Sequence, residues 1–361
     1  MQLRIPGPTP CPDEILKAVG RQMINHRGKE FGEMQGRILP KLQQCFQTNN
    51  DIFILTTSGT GGMESAVVNT LSPGDKVLGI SIGIFGDRFI EIAKAYGADV
   101  TTLNYEWGQV ANPDDVKKAL NDSPGIKAVL VTHNETSTGT TNPLRDIAKV
   151  VKDAGKLILV DAVSSLSSIN LPVDEWDLDV VVTSSQKGWM VPPGLAFVSI
   201  SEQGWKAHAQ AKMPRYYFDY TKARKFIPDG QTPWTPAISV YFGLDLALDM
   251  MLKEGLQNIF ARHARVAGKA RAWVKSRGLQ LLCVDEKYAS NTVTAVKAPA
   301  DMDVAKFNAT LRDEYKVVIA GGQGGMKGKV FRIGHLGLIT EKDMDEVTAA
   351  LDKALPKAKK I

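Results

Sequence analysis

Ala128-Val-Leu-Val-Thr132 and Leu157-Ile-Leu-Val-Asp161 are two short, continuous apolar runs, and a helical pattern over Leu144–Ala154 lies between them. An apolar run without polar alternation is typical of a strand that is buried on both faces. A helix between two such runs indicates a parallel crossover unit, because parallel strands need a long connection. This stretch therefore predicts an α/β fold built on a mainly parallel sheet.

The same alternation extends outward on both sides of this stretch. Strands are predicted at Ile52–Leu55, Lys76–Ser81, Val100–Leu103, Val180–Thr183 and Leu195–Ile200, and helices at Met63–Leu71, Asp87–Tyr96 and Asp114–Asn121. Open sheets of this kind bind ligands at the carboxyl ends of their strands. We therefore expect the functional site where these strands end.

The C-terminal part of the chain has a different pattern, with long helices first and short strands after them. Helical patterns cover 239–254 and 258–277, and short strands are predicted at 293–296, 317–319 and 330–333. Such a mixture is typical of a smaller α+β domain. The expected organisation is an N-terminal segment (1–20), a large domain (21–254) and a small domain (255–361).

Composition excludes several classes of protein. Of the 361 residues, 43% are hydrophobic and 23% charged, as in soluble globular proteins. The net charge of +5 is diffuse, so we expect no nucleic-acid partner, and the lysines near the C-terminus indicate a frayed helix end (Lys353, Lys357, Lys359 and Lys360). The three cysteines, Cys11, Cys45 and Cys283, lack the spacing of a disulfide framework or a zinc site. Neither a signal-peptide core nor a membrane span is evident, so the expected location is cytoplasmic.

Lys187 is the first residue with a chemical role to explain. It stands between two predicted buried strands, Val180–Thr183 and Leu195–Ile200. Burying an ammonium group is costly unless it is paired or neutralised. A buried lysine with a lowered pKa is, however, an amine nucleophile that can form a Schiff base with a carbonyl group. The structural alternative is a lysine that snorkels to solvent at a strand end.

Three other strand ends carry chemical groups. Ile52–Leu55 runs into Thr57-Ser-Gly-Thr-Gly-Gly62, where glycines and a helix N-terminus can accept a phosphate, although the P-loop pattern is absent. Ala128–Thr132 runs into the hydroxyl-rich stretch His133–Gly139. Asp161 ends the next strand, and its structural alternative is a turn cap. A phosphate site, an amine and an acid for a pyridinium nitrogen together match the needs of pyridoxal 5'-phosphate.

From Pro6-Gly-Pro-Thr9 to Arg332-Ile-Gly-His-Leu-Gly337 the chain resembles the class V, fold-type I pyridoxal-phosphate-dependent aminotransferases. Within that family it is similar to alanine–glyoxylate and serine–pyruvate or serine–glyoxylate aminotransferases. The most specific stretches are Ser58–Thr60, Thr132–Gly139, Asp161–Val163, Ser184–Gly188 and Pro192–Gly194. The resemblance implies a large domain with a mainly parallel sheet, a smaller C-terminal α+β domain, and a homodimer with active sites at the subunit interface. It also implies ping-pong transfer of an amino group from alanine or serine to glyoxylate or pyruvate.

The resemblance implies catalytic roles for two residues and ring contacts for three more. Lys187 would form the Schiff base with the cofactor and then move the proton, and Asp161 would hold the pyridinium nitrogen. Val163 would pack on one face of the ring and Thr136 would bind the ring hydroxyl. Phe85 takes the place of a tryptophan that stacks on the cofactor in the mammalian alanine–glyoxylate enzymes, and phenylalanine can still stack.

The resemblance assigns the remaining site residues to the phosphate and the substrate. The residues expected at the cofactor phosphate are Ser58, Gly59, Thr60 and Gln186. Thr232 and Thr235 would reach the phosphate of the neighbouring subunit, although the run Thr232-Pro-Trp234 departs from the family's pattern there. Gly7 and Arg332 would contact the substrate, and the planar fork of Arg332 suits a carboxylate. No metal ion is expected.

Several alternatives share part of this pattern. Ureidoglycine–glyoxylate and 2-aminoethylphosphonate–pyruvate transaminases have nearly all the motifs. A cysteine desulfurase needs a mobile cysteine shortly before the carboxylate-binding arginine, whereas Cys283 lies far upstream of Arg332 in a predicted strand. A dehydrogenase needs the GxGxxG pattern, which is absent after the first strand of the sheet. A non-catalytic scaffold subunit would be favoured by loss of Lys187 or Asp161. Arg27, Arg215 and Arg224 could recognise a second acidic group or lie at the surface.

Overall fold

The computed structural model describes residues 1–359 of the chain. Within them the α-helices are α1 Asp13–Val19, α2 Lys29–Phe46, α3 Gly59–Thr70, α4 Ile84–Ala95, α5 Pro113–Asp122, α6 Leu144–Asp153, α7 Glu202–Gln210, α8 Tyr220–Phe226, α9 Ile238–Glu254, α10 Leu256–Ser276, α11 Val304–Tyr315 and α12 Glu341–Ala354. The strands are β1 Gln2–Arg4, β2 Asp51–Leu55, β3 Lys76–Ser81, β4 Asp99–Asn104, β5 Ala128–Thr132, β6 Asn134–Glu135, β7 Thr140–Thr141, β8 Leu157–Asp161, β9 Val180–Ser184, β10 Ala196–Ile200, β11 Gln280–Leu281, β12 Val293–Lys297, β13 Val317–Gly321 and β14 Val330–Gly334.

A seven-stranded sheet with the order β2-β10-β9-β8-β5-β3-β4 forms the centre of the larger part of the molecule. The five strands from β9 to β4 are parallel to one another. The prediction of an α/β fold with a mainly parallel sheet is therefore confirmed. One strand, β10, runs antiparallel to both of its neighbours.

The central strands are buried on both faces because helices cover the sheet on both sides. All five residues of β8 are buried. Ile158 and Val160 pack into one hydrophobic cluster, and Leu157 and Leu159 pack into another on the opposite face. Alternate side chains of a strand point to opposite faces, so the continuous apolar run is the direct sequence trace of this two-sided burial.

A five-stranded sheet with the order β1-β13-β14-β12-β11 forms the smaller part. Helices α10, α11 and α12 contribute to the hydrophobic cluster on this sheet. The N-terminal strand β1 joins the sheet by parallel pairing with β13. We propose that residues 21–254 form the large domain and that the residues from 255 onward form the small domain, to which the N-terminal segment adds an edge strand.

Six α-helices were not predicted at their positions, namely α1, α2, α7, α8, α11 and α12. Helix α2 is the longest of them and contains Pro40, which usually breaks a helix. Its buried residues nevertheless recur at helical spacing, with Phe31, Met34, Ile38 and Leu42 on one face. Burial of this stripe against the rest of the large cluster therefore outweighs the lost backbone hydrogen bond.

The predicted frayed C-terminus is not what the structure contains up to Lys359. Ala354 and Ala358 are buried, and the backbone N–H of Asp303 donates to the carbonyl of Ala358 at 2.7 Å. Packing of the two alanines against the small domain therefore fixes this segment, while Lys360 lies outside the described residues. No helix among residues 1–359 is long and apolar enough to cross a membrane.

Candidate active site

The carboxyl ends of three neighbouring parallel strands bring the predicted site residues together. Thr132 at the end of β5 is in register with Asp161 at the end of β8, and Asp161 is in register with Val182 of β9. The chain continues from β9 through Ser184 to Lys187. Asp161 and Lys187 both line one pocket of about 270 Å³, as expected for strand ends of a parallel sheet.

Lys187 is buried in this pocket, with 9% of its surface exposed. Its Nζ donates a hydrogen bond to the carbonyl oxygen of Pro6 at 2.6 Å. Burial lowers the pKa of Lys187 to about 8, and the positive charges of Arg332 and Arg88 act in the same direction, while Asp161 opposes them. The structure therefore contains a buried lysine rather than one that snorkels to solvent.

Gly7 lies against Lys187 and lines the same pocket. A Cβ atom at Gly7 would lie 2.5 Å from Nζ of Lys187, and its φ of +140° also disfavours a side chain. The backbone N–H of Thr9 donates to the carbonyl of Gln186 at 3.0 Å, and Oγ1 of Thr9 donates to the carbonyl of Lys187 at 2.8 Å. The N-terminal segment thus covers the lysine from one side.

Asp161 is almost completely buried at the end of β8. Its Oδ1 accepts a hydrogen bond from the backbone N–H of Val163 at 2.9 Å. Burial raises the pKa of Asp161 to about 7, and the Val163 hydrogen bond and the charge of Lys187 only partly offset this effect. The carboxyl group therefore has a pKa close to neutral pH and lies in the same pocket as a buried amine, an arrangement typical of functional sites.

Ser58 and the glycines after it open helix α3 at the edge of the same pocket. Ser58 is the N-cap residue of α3, but its side chain makes no capping hydrogen bond. Oγ of Ser184 and Oε1 of Gln186 are buried and have no hydrogen-bond partner among residues 1–359. A helix N-terminus with unused backbone N–H groups and nearby unpaired polar atoms is a suitable site for an anion.

Gly59 is the tightest point of this turn. A Cβ atom there would lie 2.7 Å from Cγ2 of Val163 and 3.0 Å from Oγ of Ser184. We expect Gly59→Ala to lower the free energy of unfolding by about 1–3 kcal/mol, because the added methyl overpacks a buried contact. Gly36→Ala is the matched control, since Gly36 also lies in a helix but has no atom within 4 Å of the added Cβ.

The control substitution should be neutral or stabilising by up to about 1 kcal/mol, because alanine is the better helix former. Urea unfolding of both variants, followed by circular dichroism, measures the difference. Equal effects of the two substitutions would contradict the close packing of Gly59.

Phe85 is held at the pocket by a buried carboxylate. Oε2 of Glu135 accepts hydrogen bonds from the backbone N–H groups of Phe85 at 3.0 Å and Gly86 at 3.1 Å. Oε1 of Glu135 accepts from the hydroxyl and the backbone N–H of Ser137. Burial raises the pKa of Glu135, although these four hydrogen bonds oppose that shift. Glu135 thus fixes the first turn of α4, which sequence reasoning did not assign to it.

Thr136 and Arg332 contact each other and are not among the residues that line the pocket, although the charge of Arg332 acts on Lys187. Nη1 of Arg332 donates to the carbonyl of Thr136 at 3.0 Å and to Oε1 of Gln323 at 3.1 Å, and its Nε donates to the carbonyl of Gly321 at 2.9 Å. Burial lowers the pKa of Arg332. Oγ1 of Thr136 donates to Oγ of Ser164 at 2.8 Å. Arg332 of the small sheet thus binds the segment that follows strand β5 of the large sheet.

The two threonines predicted to act across a subunit interface are not part of the lysine pocket. Thr232 lines a separate cleft with Tyr217 and Trp234, and its hydroxyl donates to the carbonyl of Trp234 at 2.7 Å. Thr235 is exposed. Within one chain, therefore, neither threonine is placed to contact a ligand held by Lys187.

The other candidate residues bind partners elsewhere in the chain and do not line the lysine pocket. Arg27 donates to the carbonyls of Thr232 and Pro233, Arg215 donates to backbone carbonyls that include Val68, and Arg224 pairs with Asp51 at 3.2 Å. Cys283 is buried, and its thiol donates to the carbonyl of Asp285 at 3.2 Å. Burial raises the pKa of this thiol, which disfavours a nucleophilic role.

The pocket also contains residues that sequence reasoning missed. They are Pro8, Met63, Arg88 and Pro193. Arg88 could have been noticed, because it lies one helical turn after Phe85 and so shares its face of α4. Pro8 and Pro193 lie in stretches that carry the resemblance but have no role assigned there, and the sequence context of Met63 does not distinguish it from an ordinary packing residue.

Comparison with known proteins gives a consistent result. The family model for class-V aminotransferases matches residues 9–339. The chain is 43% identical to the soluble hydrogenase 42 kDa subunit of Anabaena cylindrica over 98% of this chain and 93% of the relative. It is 39% identical to the L-aspartate–glyoxylate aminotransferase of Paracoccus denitrificans over 93% of this chain and 86% of the relative.

The fold is matched equally well by a solved structure. The alanine–glyoxylate aminotransferase of a Nostoc species superposes with a TM-score of 0.94 at 30% identity, covering 98% of this chain and 94% of that one. The family model spans nearly the whole chain and includes the strand ends that carry Asp161 and Lys187. The protein therefore belongs to the class-V aminotransferases, a family of pyridoxal-phosphate-dependent enzymes with the fold-type I architecture.

Proposed function

We propose that this aminotransferase binds pyridoxal 5'-phosphate through Lys187 and moves an amino group from alanine or serine to glyoxylate or pyruvate. The observation that carries the proposal is the buried amine of Lys187, whose pocket also contains the acid Asp161. The names of the Nostoc and Paracoccus proteins support glyoxylate as the acceptor. The name of the Paracoccus protein adds aspartate as a donor to be tested.

The residues present fit the cofactor. The unpaired Oε1 of Gln186 belongs to a residue that lines the pocket, and the unpaired Oγ of Ser184 would lie 3.0 Å from a side chain at Gly59, which lines the same pocket. The residues that would hold the phosphate are Ser58, Gly59, Thr60 and Gln186. Those that would hold the ring are Phe85, Thr136, Asp161 and Val163. Pyridoxal phosphate, when bound, supplies an electron sink for the carbanion that forms when an amino acid loses its α-proton.

The protein's part in the reaction is to position groups and to move protons. Nζ of Lys187 would take the proton from Cα of the donor and return a proton later, for which a pKa of about 8 is well suited at neutral pH. The carboxyl group of Asp161 would hold the proton on the ring nitrogen. Arg332 would bind the substrate carboxylate, exchanging one of its neutral partners for a charged one. The two substrates bind in turn, so the kinetics should be ping-pong.

The name of the Anabaena relative, a hydrogenase subunit, raises the possibility of a structural role. Such a role does not require a buried lysine or a buried aspartate in a pocket. Both are present here, and each costs folding energy that a purely structural subunit has no reason to retain. Their presence supports catalysis as the function of this chain.

A spectroscopic experiment tests the proposal and selects the donor. The purified full chain, saturated with cofactor, should absorb visible light, and a true donor should bleach that band within seconds to minutes. Alanine, serine, aspartate, 2-aminoethylphosphonate and ureidoglycine would be added one at a time, and glyoxylate or pyruvate should then restore the band. The expected result is bleaching by alanine or serine and recovery with glyoxylate. Failure to form the band with added cofactor would refute the assignment.

We also propose a cytoplasmic homodimer in which Thr232 and Thr235 reach the cofactor phosphate of the neighbouring subunit. Support for this comes from the position of Thr232 in a cleft separate from the lysine pocket and from the exposure of Thr235. Sedimentation equilibrium of the full chain, with and without cofactor, measures the state of association. A monomer that retains full cofactor affinity would contradict the proposed contact.

A further inference from the structure

Arg88 has a position in the pocket that the proposed roles leave unexplained. It lies in the first turns of α4 and lines the same pocket as Lys187. Its Nη1 lies 3.4 Å from Oγ1 of Thr60, and its guanidinium carbon lies 4.8 Å from the ring centroid of Phe85. The guanidinium therefore stands between the ring-stacking residue and the helix N-terminus that would hold the phosphate.

Arg88 lacks the anionic partner that a partly buried arginine usually has. Among residues 1–359, no carboxylate lies within ion-pair distance of its guanidinium. The other two cations near the pocket are already engaged, because Lys187 is bound to Pro6 and Arg332 to three neutral acceptors. Arg88 is thus the cation that is free to receive an anion.

A phosphate at the N-terminus of α3 would need such a cation. A phosphate monoester carries close to two negative charges at neutral pH. The helix contributes about half a positive charge, and the hydroxyls and amide of Ser58, Thr60 and Gln186 contribute none. A guanidinium can bind two phosphate oxygens at once through its planar fork.

We infer that Arg88 binds the cofactor phosphate and supplies the positive charge that neutralises it within the subunit. The inference rests on the proposed function, because it requires that the cofactor binds in this pocket. The main alternative is that Arg88 recognises a distal acid group on the substrate, and the contact of Arg88 with Thr60 argues against it. Its one hydrogen-bond partner, Thr60, belongs to the turn that would hold the phosphate, whereas the carboxylate of the substrate is expected at Arg332.

The test compares two ligands that differ only in the phosphate. Pyridoxal phosphate and pyridoxal would each be titrated into cofactor-free full chain, with visible absorbance as the readout. Arg88→Gln should weaken pyridoxal phosphate by about tenfold to a hundredfold, the effect of losing a charge-assisted hydrogen bond. Binding of pyridoxal should change by less than about threefold. Arg88→Lys keeps the charge without the fork and should recover part of the loss.

Lys94→Gln is the matched control, because Lys94 is an exposed cation on the same helix. It should leave both affinities unchanged, and circular dichroism of all variants checks that they fold. Equal weakening of both ligands by Arg88→Gln would overturn the inference, since it would place the effect on the ring through Phe85. An unchanged affinity for pyridoxal phosphate, or a raised KM for aspartate alone, would overturn it as well. If the wild type forms no visible band, the proposed function fails instead.

Discussion

Replacing Lys187 with methionine is expected to lower the transamination rate by at least about a thousandfold and to abolish the visible band of the bound cofactor. Methionine has nearly the same length as lysine but offers no amine, so neither the covalent link nor the proton transfer at Cα can occur. Rates measured with alanine and glyoxylate at saturating cofactor give the first result. Lys149→Met serves as a control, because Lys149 is an exposed lysine of α6 far from these strand ends.

The same substitution should stabilise the cofactor-free protein at neutral pH. Burial lowers the pKa of Lys187 to about 8, so the folded state holds the ammonium less firmly than the unfolded chain does. The free-energy cost of burying this ammonium group is fully present below pH 8 and disappears as the pH rises from 8 towards 10.5. Lys187→Met should therefore raise Tm more at pH 7 than at pH 10. An equal gain at the two pH values, or wild-type turnover in this variant, would contradict the role of the lysine.

Asp161→Asn is expected to reduce turnover by a factor of about a hundred to ten thousand while leaving a folded protein. Asparagine keeps the shape and can still accept the hydrogen bond from Val163 N–H, but it cannot hold a proton on a ring nitrogen as a carboxylate does. Cofactor affinity and donor half-reaction rates, measured by stopped-flow absorbance, separate weaker binding from slower proton transfer. Near-normal rates at saturating cofactor would exclude Asp161 as the acid partner of the ring.

Stability should change in the opposite sense to activity. Burial raises the pKa of Asp161 to about 7, so the folded state favours the protonated carboxyl group. Its contribution to the free energy of unfolding is fully present below the unfolded pKa near 3.8 and is lost as the pH rises through 7. Asp161→Asn removes that loss and should stabilise the cofactor-free protein at pH 8 by about a few kcal/mol, as expected from the difference between the folded and unfolded pKa of Asp161. At pH 4 the gain should nearly vanish.

Asp179→Asn provides a contrast within the same sheet. Asp179 is also buried, but it is paired with Lys152 at 2.8 Å and accepts a hydrogen bond from the backbone N–H of Ile158 at 3.0 Å. Burial raises the pKa of Asp179 as well, but its replacement leaves Lys152 with only Asp177 at 3.5 Å, so this variant should gain much less stability at pH 8 than Asp161→Asn does. Thermal unfolding of both variants at pH 4 and pH 8 measures the comparison. A destabilised Asp161→Asn at pH 8 would show that its charge is paired in a way that the structure does not contain.

The fold could be predicted because two-sided burial leaves a direct trace in the sequence. The runs Ala128–Thr132 and Leu157–Asp161 are continuous because both faces of each strand pack against helices. The direction of β10 could not be predicted, since an antiparallel strand buried on both faces has the same apolar run as a parallel one. Helix α2 was missed because its stripe of apolar residues contains a proline.

The candidate site could be predicted only where a residue type is unusual in its sequence context. Lys187 and Asp161 stand out because charged residues rarely end buried strands. Glu135 lies in the hydroxyl-rich stretch His133–Gly139. Its role is to accept hydrogen bonds at the N-terminus of α4, and this contact is distant in sequence. The resemblance implies that Thr232 and Thr235 contact the cofactor of a second subunit, and one chain cannot contain such a contact.

The hydrogen bond between Lys187 and Pro6 and a close approach beside it join the small sheet to the amine of Lys187. A side-chain carbon at Gly334 of β14 would lie 2.3 Å from the carbonyl oxygen of Ile5, and the next residue, Pro6, accepts the hydrogen bond from Lys187. Arg332 lies in the same strand, two residues before Gly334. We therefore expect that a shift of β14 on binding of a carboxylate at Arg332 changes the hydrogen bond between Lys187 and the carbonyl of Pro6, and with it the basicity of the amine.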